Sequence, residues 1–396
     1  MDFELPDDSD PQRAAVRQWL AVNPSPSGRQ LAEAGYVAPH WPAPWGLDAD
    51  PILQLLIDDE LRAAGVRRPM NPIGIGWAGP TILHAGTAAQ KERYLMPLLA
   101  GEELWCQLFS EPQAGSDLAN LGTRAVRDGD EYVVNGQKIW TSLAQWARYG
   151  ILIARTDPDV PKHQGVSYFI CPMDLPGIEV RPIIEMTGAH TFNEVFFTDV
   201  RIPAENLVGM EHRGWELAKV TLGNERVSLS SGGALWGNGP GAEDLLALVR
   251  AHGGIGEAPM RQRLAQLHIE SEVLRLIRLR TITARIKGQQ PGAEASIRKA
   301  MADEHGQHIM ELAKDLAGTS GMLSDAGPLG APADLWAHGF LFAPALTVGG
   351  GTSVVQRNII AERVLGLPHD VDVEQGMTWS GSRRSHATTR AGETAV

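Results

Sequence analysis

Ser110-Glu111-Pro112-Gln113-Ala114-Gly115-Ser116-Asp117 and, further along, Asn135-Gly136-Gln137-Lys138-Ile139-Trp140-Thr141-Ser142 are the stretches whose reading decides this chain. In the first, a proline and a glycine set a tight loop, and the hydroxyls of Ser110 and Ser116 can bond heteroatoms of a planar ligand. In the second, Asn135-Gly136 has the chemistry of a two-residue turn, and an indole and two hydroxyls leave it together. Taken singly, the first reads as a turn and the second as a core tryptophan with satisfied hydroxyls. Both lie where the periodicity is strand-like. Val126 and Tyr132-Val133-Val134 flank Asp128-Gly129-Asp130, a hairpin signal, and β-rich runs follow at 151–154, 166–170, 180–184 and 195–198.

Working outward, the spacing on both sides becomes helical. Before the β-rich part, helices are predicted over 12–20, 51–64 and 87–99, with Thr87 as N-cap of the last and Gly101 just past its end. The Trp- and Pro-rich stretch 38–46 reads as a packed surface connection. After it, helices are predicted over 215–231, 243–251, 261–287, 294–316 and 353–365, lengths that suit a helical bundle. Gly237-Asn238-Gly239-Pro240-Gly241 ends the first of these. The class is α+β, with helices, then strands, then helices. The expected boundaries are 1–104 for an N-terminal helical domain, 105–210 for a middle β domain, 211–370 for a C-terminal helical bundle and 371–396 for a flexible tail.

Composition narrows the function. The 396 residues are 43% hydrophobic and 21% charged, an ordinary globular balance. A formal net charge of -12 repels phosphate backbones and anionic lipid surfaces, which argues against nucleic-acid binding, and Arg383-Arg384 is too short for a basic patch. Cys106 and Cys171 are far apart and lack metal-ligand spacing. With no apolar signal segment at the start and no run long enough to span a bilayer, a reduced, cytoplasmic protein is expected. His305 and His308 share a helix face, but without a third ligand they read as solvated surface histidines rather than a metal site.

Together the two opening stretches resemble the acyl-CoA dehydrogenase family, whose members carry a Thr/Ser-Glu-Pro-x-Ala-Gly-Ser-Asp loop and then an Asn-Gly-x-Lys-x-Trp-x-Thr/Ser strand. The likeness continues through Thr191-Phe192-Asn193-Glu194-Val195-Phe196-Phe197-Thr198-Asp199-Val200, Asn224-Glu225-Arg226 and Gly351-Thr352-Ser353-Val354-Val355-Gln356-Arg357-Asn358. It implies that family's fold: an N-terminal helical domain, a middle β-barrel or sandwich domain and a C-terminal four-helix bundle. It also implies FAD. Ser110 and Ser116 would contact the flavin or its phosphate side, Trp140 would pack on the isoalloxazine, and Ser142 would bond near N5. Thr352 would sit near the ADP half, and the glycines 349–351 would let backbone approach a ligand.

The implied reaction, α,β-dehydrogenation of an acyl-CoA to the trans-2-enoyl-CoA, needs a carboxylate over the α-carbon. Many members carry it just before the Gly-Thr of the C-terminal loop, where this chain has Gly350. Isovaleryl- and long-chain-type members carry it before an arginine on the first long helix after the β domain, where this chain has Glu225-Arg226. On a helix Glu225 shares a face with Ala218, Leu222 and Leu229, so the carboxylate falls on an apolar stripe, and a buried charge needs a reason. That reason is either catalysis or a salt bridge. Arg226 would order the thioester or the bundle.

Two departures from the family bear on partners. The Arg-x-x-Phe-Gly motif that reaches a neighbouring subunit's FAD is absent from 251–263, and the Gln-x-x-Gly-Gly-x-Gly segment is altered at 315–321. The resemblance implies either a heteromer with a related subunit or a homodimer or homotetramer with different FAD contacts, with an electron-transferring flavoprotein as acceptor. Two other functions fit the same fold: a non-catalytic partner subunit, favoured by Gly350 and opposed by Glu225, and a flavin monooxygenase or nitroalkane-oxidase-like enzyme. The acyl group could be branched, long or steroid-derived, carried on CoA or on an acyl-carrier protein.

Overall fold

The structure, a computed structural model, describes residues 6–229, 235, 239–286, 292–293, 295–319 and 333–385. Within them the chain divides into two compact units, one formed by 6–183, 190–221 and 372–385, the other by 184–189 and 222–371.

The first unit opens with helices α1 (Pro11–Val22), α2 (Gly28–Glu33) and α3 (Pro51–Ala63). A π-turn, Gly74–Ala78, runs into α4 (Gly79–Ala85), and α5 (Ala88–Leu99) follows. Their ends are set by side chains. Asp10 caps α1, Asp50 caps α3, and Thr87 and Gln90 form a reciprocal capping box on α5, while Gly101 at φ 70° ends it. Arg13 is buried and pairs with Asp59 and Glu60, which ties α1 to α3. Trp41 and Ala38 of the Trp/Pro stretch are 2% exposed, so that connection is packed as expected.

Seven strands follow: β1 (Trp105–Leu108), β2 (Arg124–Asp128), β3 (Glu131–Lys138), β4 (Tyr149–Arg155), β5 (Val166–Pro172), β6 (Ile178–Pro182) and β7 (Asn193–Pro203). They form one sheet in the order β1-β4-β2-β3-β7-β6, with β5 paired to β4 off that path. Its core is aromatic and aliphatic: Tyr132, Val134, Phe169, Phe197 and Val200 are at most 3% exposed. Asn71 joins the helices to the sheet, donating to the carbonyls of Leu98 and Glu103 and accepting from the Trp105 amide. The hairpin expected at Asp128-Gly129-Asp130 is present, with Asp128 paired to Glu131.

Asn135-Gly136 is not a turn. β3 runs straight through it, paired to β2 on one side and β7 on the other. Between Val134 and Gly136 the register slips, because two steps along β3 face three along β7, from Val200 to Phe197. This is a β-bulge centred on Asp199, at φ 48°. The Asn135 side chain serves it, exchanging two hydrogen bonds of 3.0 Å with the Asp199 amide and carboxylate. The turn-forming chemistry is spent across the sheet. Strand β6 ends at Pro182, so 183–184, expected to be strand, fall outside it.

Helix α6 (Gly214–Leu229) leaves the sheet. The second unit continues with α7 (Ala242–Ala251), α8 (Ala258–Ile286), α9 (Ala295–Leu316), α10 (Ala333–Phe342) and α11 (Ser353–Ile359), the last extended by a π-turn over Ile360–Val364. Its core is Leu245, Val249, Ile309, Met310, Leu312 and Trp336. α10 has no counterpart in the sequence reading. His305 is not the solvated residue expected: it is 7% exposed and bonded to Glu270 at 2.9 Å, and burial pulls its pKa down against the pull of that carboxylate. Among the described residues no group of three metal-ligating side chains occurs. Nor does any described helix have the length and apolar character to cross a membrane.

Candidate functional site

The two opening stretches meet in the first unit. The Ile139 amide donates to the Ser110 carbonyl at 2.9 Å, so the loop after β1 lies along the end of β3. Beneath that contact sits an ion pair the sequence reading missed. Lys138 is wholly buried and donates to Glu111 at 2.8 Å and to the Phe109 carbonyl at 2.9 Å. Glu111 also accepts from the amides of Gly122 and Thr123 at 2.6 and 2.9 Å, closing the loop on itself. Burial alone would raise the Glu111 pKa, but the Lys138 charge and these donors hold it below its ordinary value. One signal was readable: Lys138 is in phase with Tyr132 and Val134 on the inward face of β3, where a lysine needs a partner.

Beyond Lys138 the chain turns out of the sheet. Trp140 has φ 58° and Leu143 φ 62°, a left-handed backbone that bulky side chains rarely take. The consequence is an indole 58% exposed, edge-on to Phe192 at 6.0 Å. Thr141 and Asn193 pair through their backbones at 3.0 and 3.1 Å. The hydroxyl of Thr141 and the side-chain oxygen of Asn193 are buried without a hydrogen-bond partner among the described residues. Ser142 is half-buried within this turn and Ser110 half-buried where its carbonyl accepts from Ile139, whereas Ser116 lies on the exposed part of its loop. Arg155 supports the same loop from below, donating to the Ala119 carbonyl at 2.6 Å, and burial lowers its pKa to about 10.

Glu225 and Thr352 belong to the second unit. Glu225 is 7% exposed on α6, one turn after Thr221, as the apolar stripe predicts. Thr221 is itself the hub of a buried hydroxyl cluster in the first unit, 2.8 Å from the Thr81 hydroxyl and 3.0 Å from the Tyr168 phenol. The Arg226 side chain lies outside the described residues. Thr352 is the N-cap of α11, its hydroxyl accepting from the Val355 amide at 3.2 Å. The loop before it is held by its carbonyls: Lys299 donates to those of Leu346 and Gly349, and Gln356 to those of Gly350 and Gly351. Gly350 and Gly351 have φ 66° and 92°, and the loop offers no carboxylate. In the stretch lacking the family motif, Arg261 donates to the carbonyls of Ile255 and Gly256, and Arg263 pairs with Asp315 at 2.6 Å, so both arginines close local structure. Of the altered segment at 315–321, the last two residues lie outside the described residues.

Comparison with known proteins bears on these features. Models of the N-terminal, middle and C-terminal domains of acyl-CoA dehydrogenases match residues 10–102, 106–200 and 212–365. Acyl-CoA dehydrogenase FadE34 of Mycobacterium tuberculosis is 44% identical over 357 residues, which cover 90% of this chain and 48% of that protein. The chain thus spans about half the length of that relative. Among solved structures, the Tcur3481-Tcur3483 steroid ACAD aligns with TM-score 0.76 and 29% identity, over 93% of this chain and 100% of the other. The ChsE4-ChsE5 complex from Mycobacterium tuberculosis aligns with TM-score 0.73 and 33% identity over the same shares. With three domain matches in order along most of its length and helices, a curled sheet and helices in the same order, this chain belongs to the acyl-CoA dehydrogenase family and has its three-domain α+β fold.

Proposed function

We propose that the chain carries out α,β-dehydrogenation of an acyl-CoA thioester, with Glu225 accepting the α-proton, FAD as cofactor and an electron-transferring flavoprotein as electron acceptor. The observation that carries this reading is the Glu225 carboxylate, 7% exposed on α6, in a chain whose C-terminal glycine loop has none. A carboxylate largely removed from water accepts a proton from carbon more readily than a hydrated one.

The residues around Trp140 fit a flavin. Its indole stands out as a flat, exposed surface on which a planar ring can lie, and the backbone pairing of Thr141 with Asn193 holds the turn that presents it. Ser110, Ser116, Ser142 and Thr352 are the further contacts. When bound, FAD supplies the two-electron acceptor for the hydride leaving the β-carbon. The chain's own part is to hold the proton on the Glu225 carboxylate, orient the thioester through Arg226, and keep the Trp140 turn in place through the Glu111–Lys138 pair.

The partner is a related subunit. The missing Arg-x-x-Phe-Gly motif and the local engagement of Arg261 and Arg263 leave one side of a flavin site to another chain. Likeness to structures named for two components supports this, and the one called a steroid ACAD supports a steroid-derived acyl chain. Gly350 favours a second reading, a non-catalytic subunit. The test is anaerobic absorption titration of the purified protein, alone and with a candidate partner, using branched, long-chain and steroid-derived acyl-CoAs. Bleaching of the flavin by one class supports the first reading and assigns the substrate. A complex with the partner that is bleached equally well when Glu225 is changed leaves the non-catalytic reading.

A further inference from the structure

The stretch after 371 reads as a flexible tail in the sequence, yet 374–383 is bonded at many points within the first unit. The Trp379 ring contacts two guanidinium groups, those of Arg155 and Arg383, each 4.9 Å from its centroid. Its amide donates to the Val160 carbonyl at 2.9 Å and the Ser380 amide to that of Pro158 at 2.9 Å. The indole N–H reaches the Asn120 carbonyl at 3.4 Å. Arg383 donates to the Gln113 side chain at 3.0 Å and lies so close to Gly122 that a Cβ there would meet its Nη1 at 2.9 Å. Lys162 bridges Asp117, at 2.9 Å, to Glu374, at 2.7 Å.

The backbone bonds anchor the segment on Pro158 and Val160, and its side chains reach the loop 111–122 at Gln113, Asn120 and Gly122, and at Asp117 through Lys162. The loop's ends are fixed by Glu111 and by Arg155 at Ala119, whereas its outer part, with Gln113, Ser116 and Asp117, is exposed. We propose that the segment 374–383 is an intramolecular latch, with Trp379 and Arg383 as positioning residues that hold the Ser116 loop in its cofactor-binding shape. The flavin part of this rests on the function proposed above; the latch itself rests on the contacts alone. An indole close to two guanidinium ions is suited to the task, because both cation–π contacts are lost as soon as the ring leaves.

The experiment compares the full chain, assembled with its partner subunit, with Trp379→Ala, Arg383→Ala and Trp379→Phe in the same assembly, by amide hydrogen exchange and by the rate of FAD release. Trp379→Ala should speed exchange across 113–121 by about tenfold or more, from the loss of both cation–π contacts, while β4 and β5 keep their protection. FAD release should accelerate by a similar factor. Trp379→Phe, which keeps an aromatic face, should recover most of both, and Arg383→Ala, which removes one of the two guanidinium groups, should move both in the same direction as Trp379→Ala. Unchanged exchange in 113–121 for both alanine variants overturns the latch, as does a loss of protection spread evenly over the sheet. Faster loop exchange with unaltered FAD release overturns the assignment of the Ser116 loop to the cofactor.

Discussion

Lys138→Met should destabilise the first unit by about 3 kcal/mol, and the structure gives the reasons for that size. The ammonium is 0% exposed and the Glu111 side chain 10% exposed, so both charges are largely out of water. Breaking a buried pair from one side costs about 3–5 kcal/mol, because the remaining charge stays desolvated without its counterion. After Lys138→Met the carboxylate keeps the Gly122 and Thr123 amides, which places the cost at the low end. Glu111→Gln removes the counter-charge and leaves the buried ammonium with neutral carbonyl acceptors alone, and should cost more, about 4 kcal/mol. The double variant buries no charge and should cost less than the sum, with a coupling of about 2 kcal/mol or more. Urea unfolding of the four proteins, followed by circular dichroism, gives all three quantities from the first transition. A coupling below about 0.5 kcal/mol would refute the reasoning, since the pair would then not be what joins the two stretches.

Three further outcomes follow from the same structure. Glu111 has a lowered pKa, so its contribution is present above the ordinary carboxylate range and is lost as pH falls through the folded value; Glu111→Gln should flatten the acid limb of a stability–pH profile. Gly136→Ala should cost about 2 kcal/mol or more in urea unfolding, because the new Cβ would meet the Thr123 hydroxyl at 2.4 Å and its Cα at 2.7 Å; a neutral result would show that Thr123 gives way. Thr221→Val should cost about 1–3 kcal/mol by orphaning the buried Tyr168 phenol, whereas Thr221→Ser should cost clearly less, and equal losses would point to packing instead.

The long elements were legible because their periodicity is their packing: 51–64 and 87–99 emerge within a residue of α3 and α5, and the Asp128–Glu131 hairpin follows from its turn residues. Asn135-Gly136 misled because turn propensity is local, while β3 is paired on both sides and the asparagine is used by a bulge on β7. α10 reads Ala-Asp-Leu-Trp-Ala-His-Gly-Phe-Leu-Phe, apolar on most faces, so no 3.6-residue stripe marks it. Glu225 was legible as a carboxylate on an apolar stripe, and Trp140 as the residue leaving the strand. Lys138 and Trp379 needed partners distant in sequence, Glu111 and Arg155, before their roles took shape. His305 was misread for the same reason, since Glu270 on α8 turns a surface position into a buried bond.

The central claim is that Glu225 takes the proton, and the most direct measurement is rapid-mixing absorbance of flavin reduction in Glu225→Gln beside the unaltered protein, under anaerobic conditions with the best acyl-CoA of the panel. The account predicts that Glu225→Gln retains FAD and its visible spectrum but loses reduction by at least about a thousandfold, the scale of a general base at carbon, while Glu225→Asp retains part of it. Reduction by Glu225→Gln within a few-fold of the unaltered rate contradicts the account and moves the base to another residue.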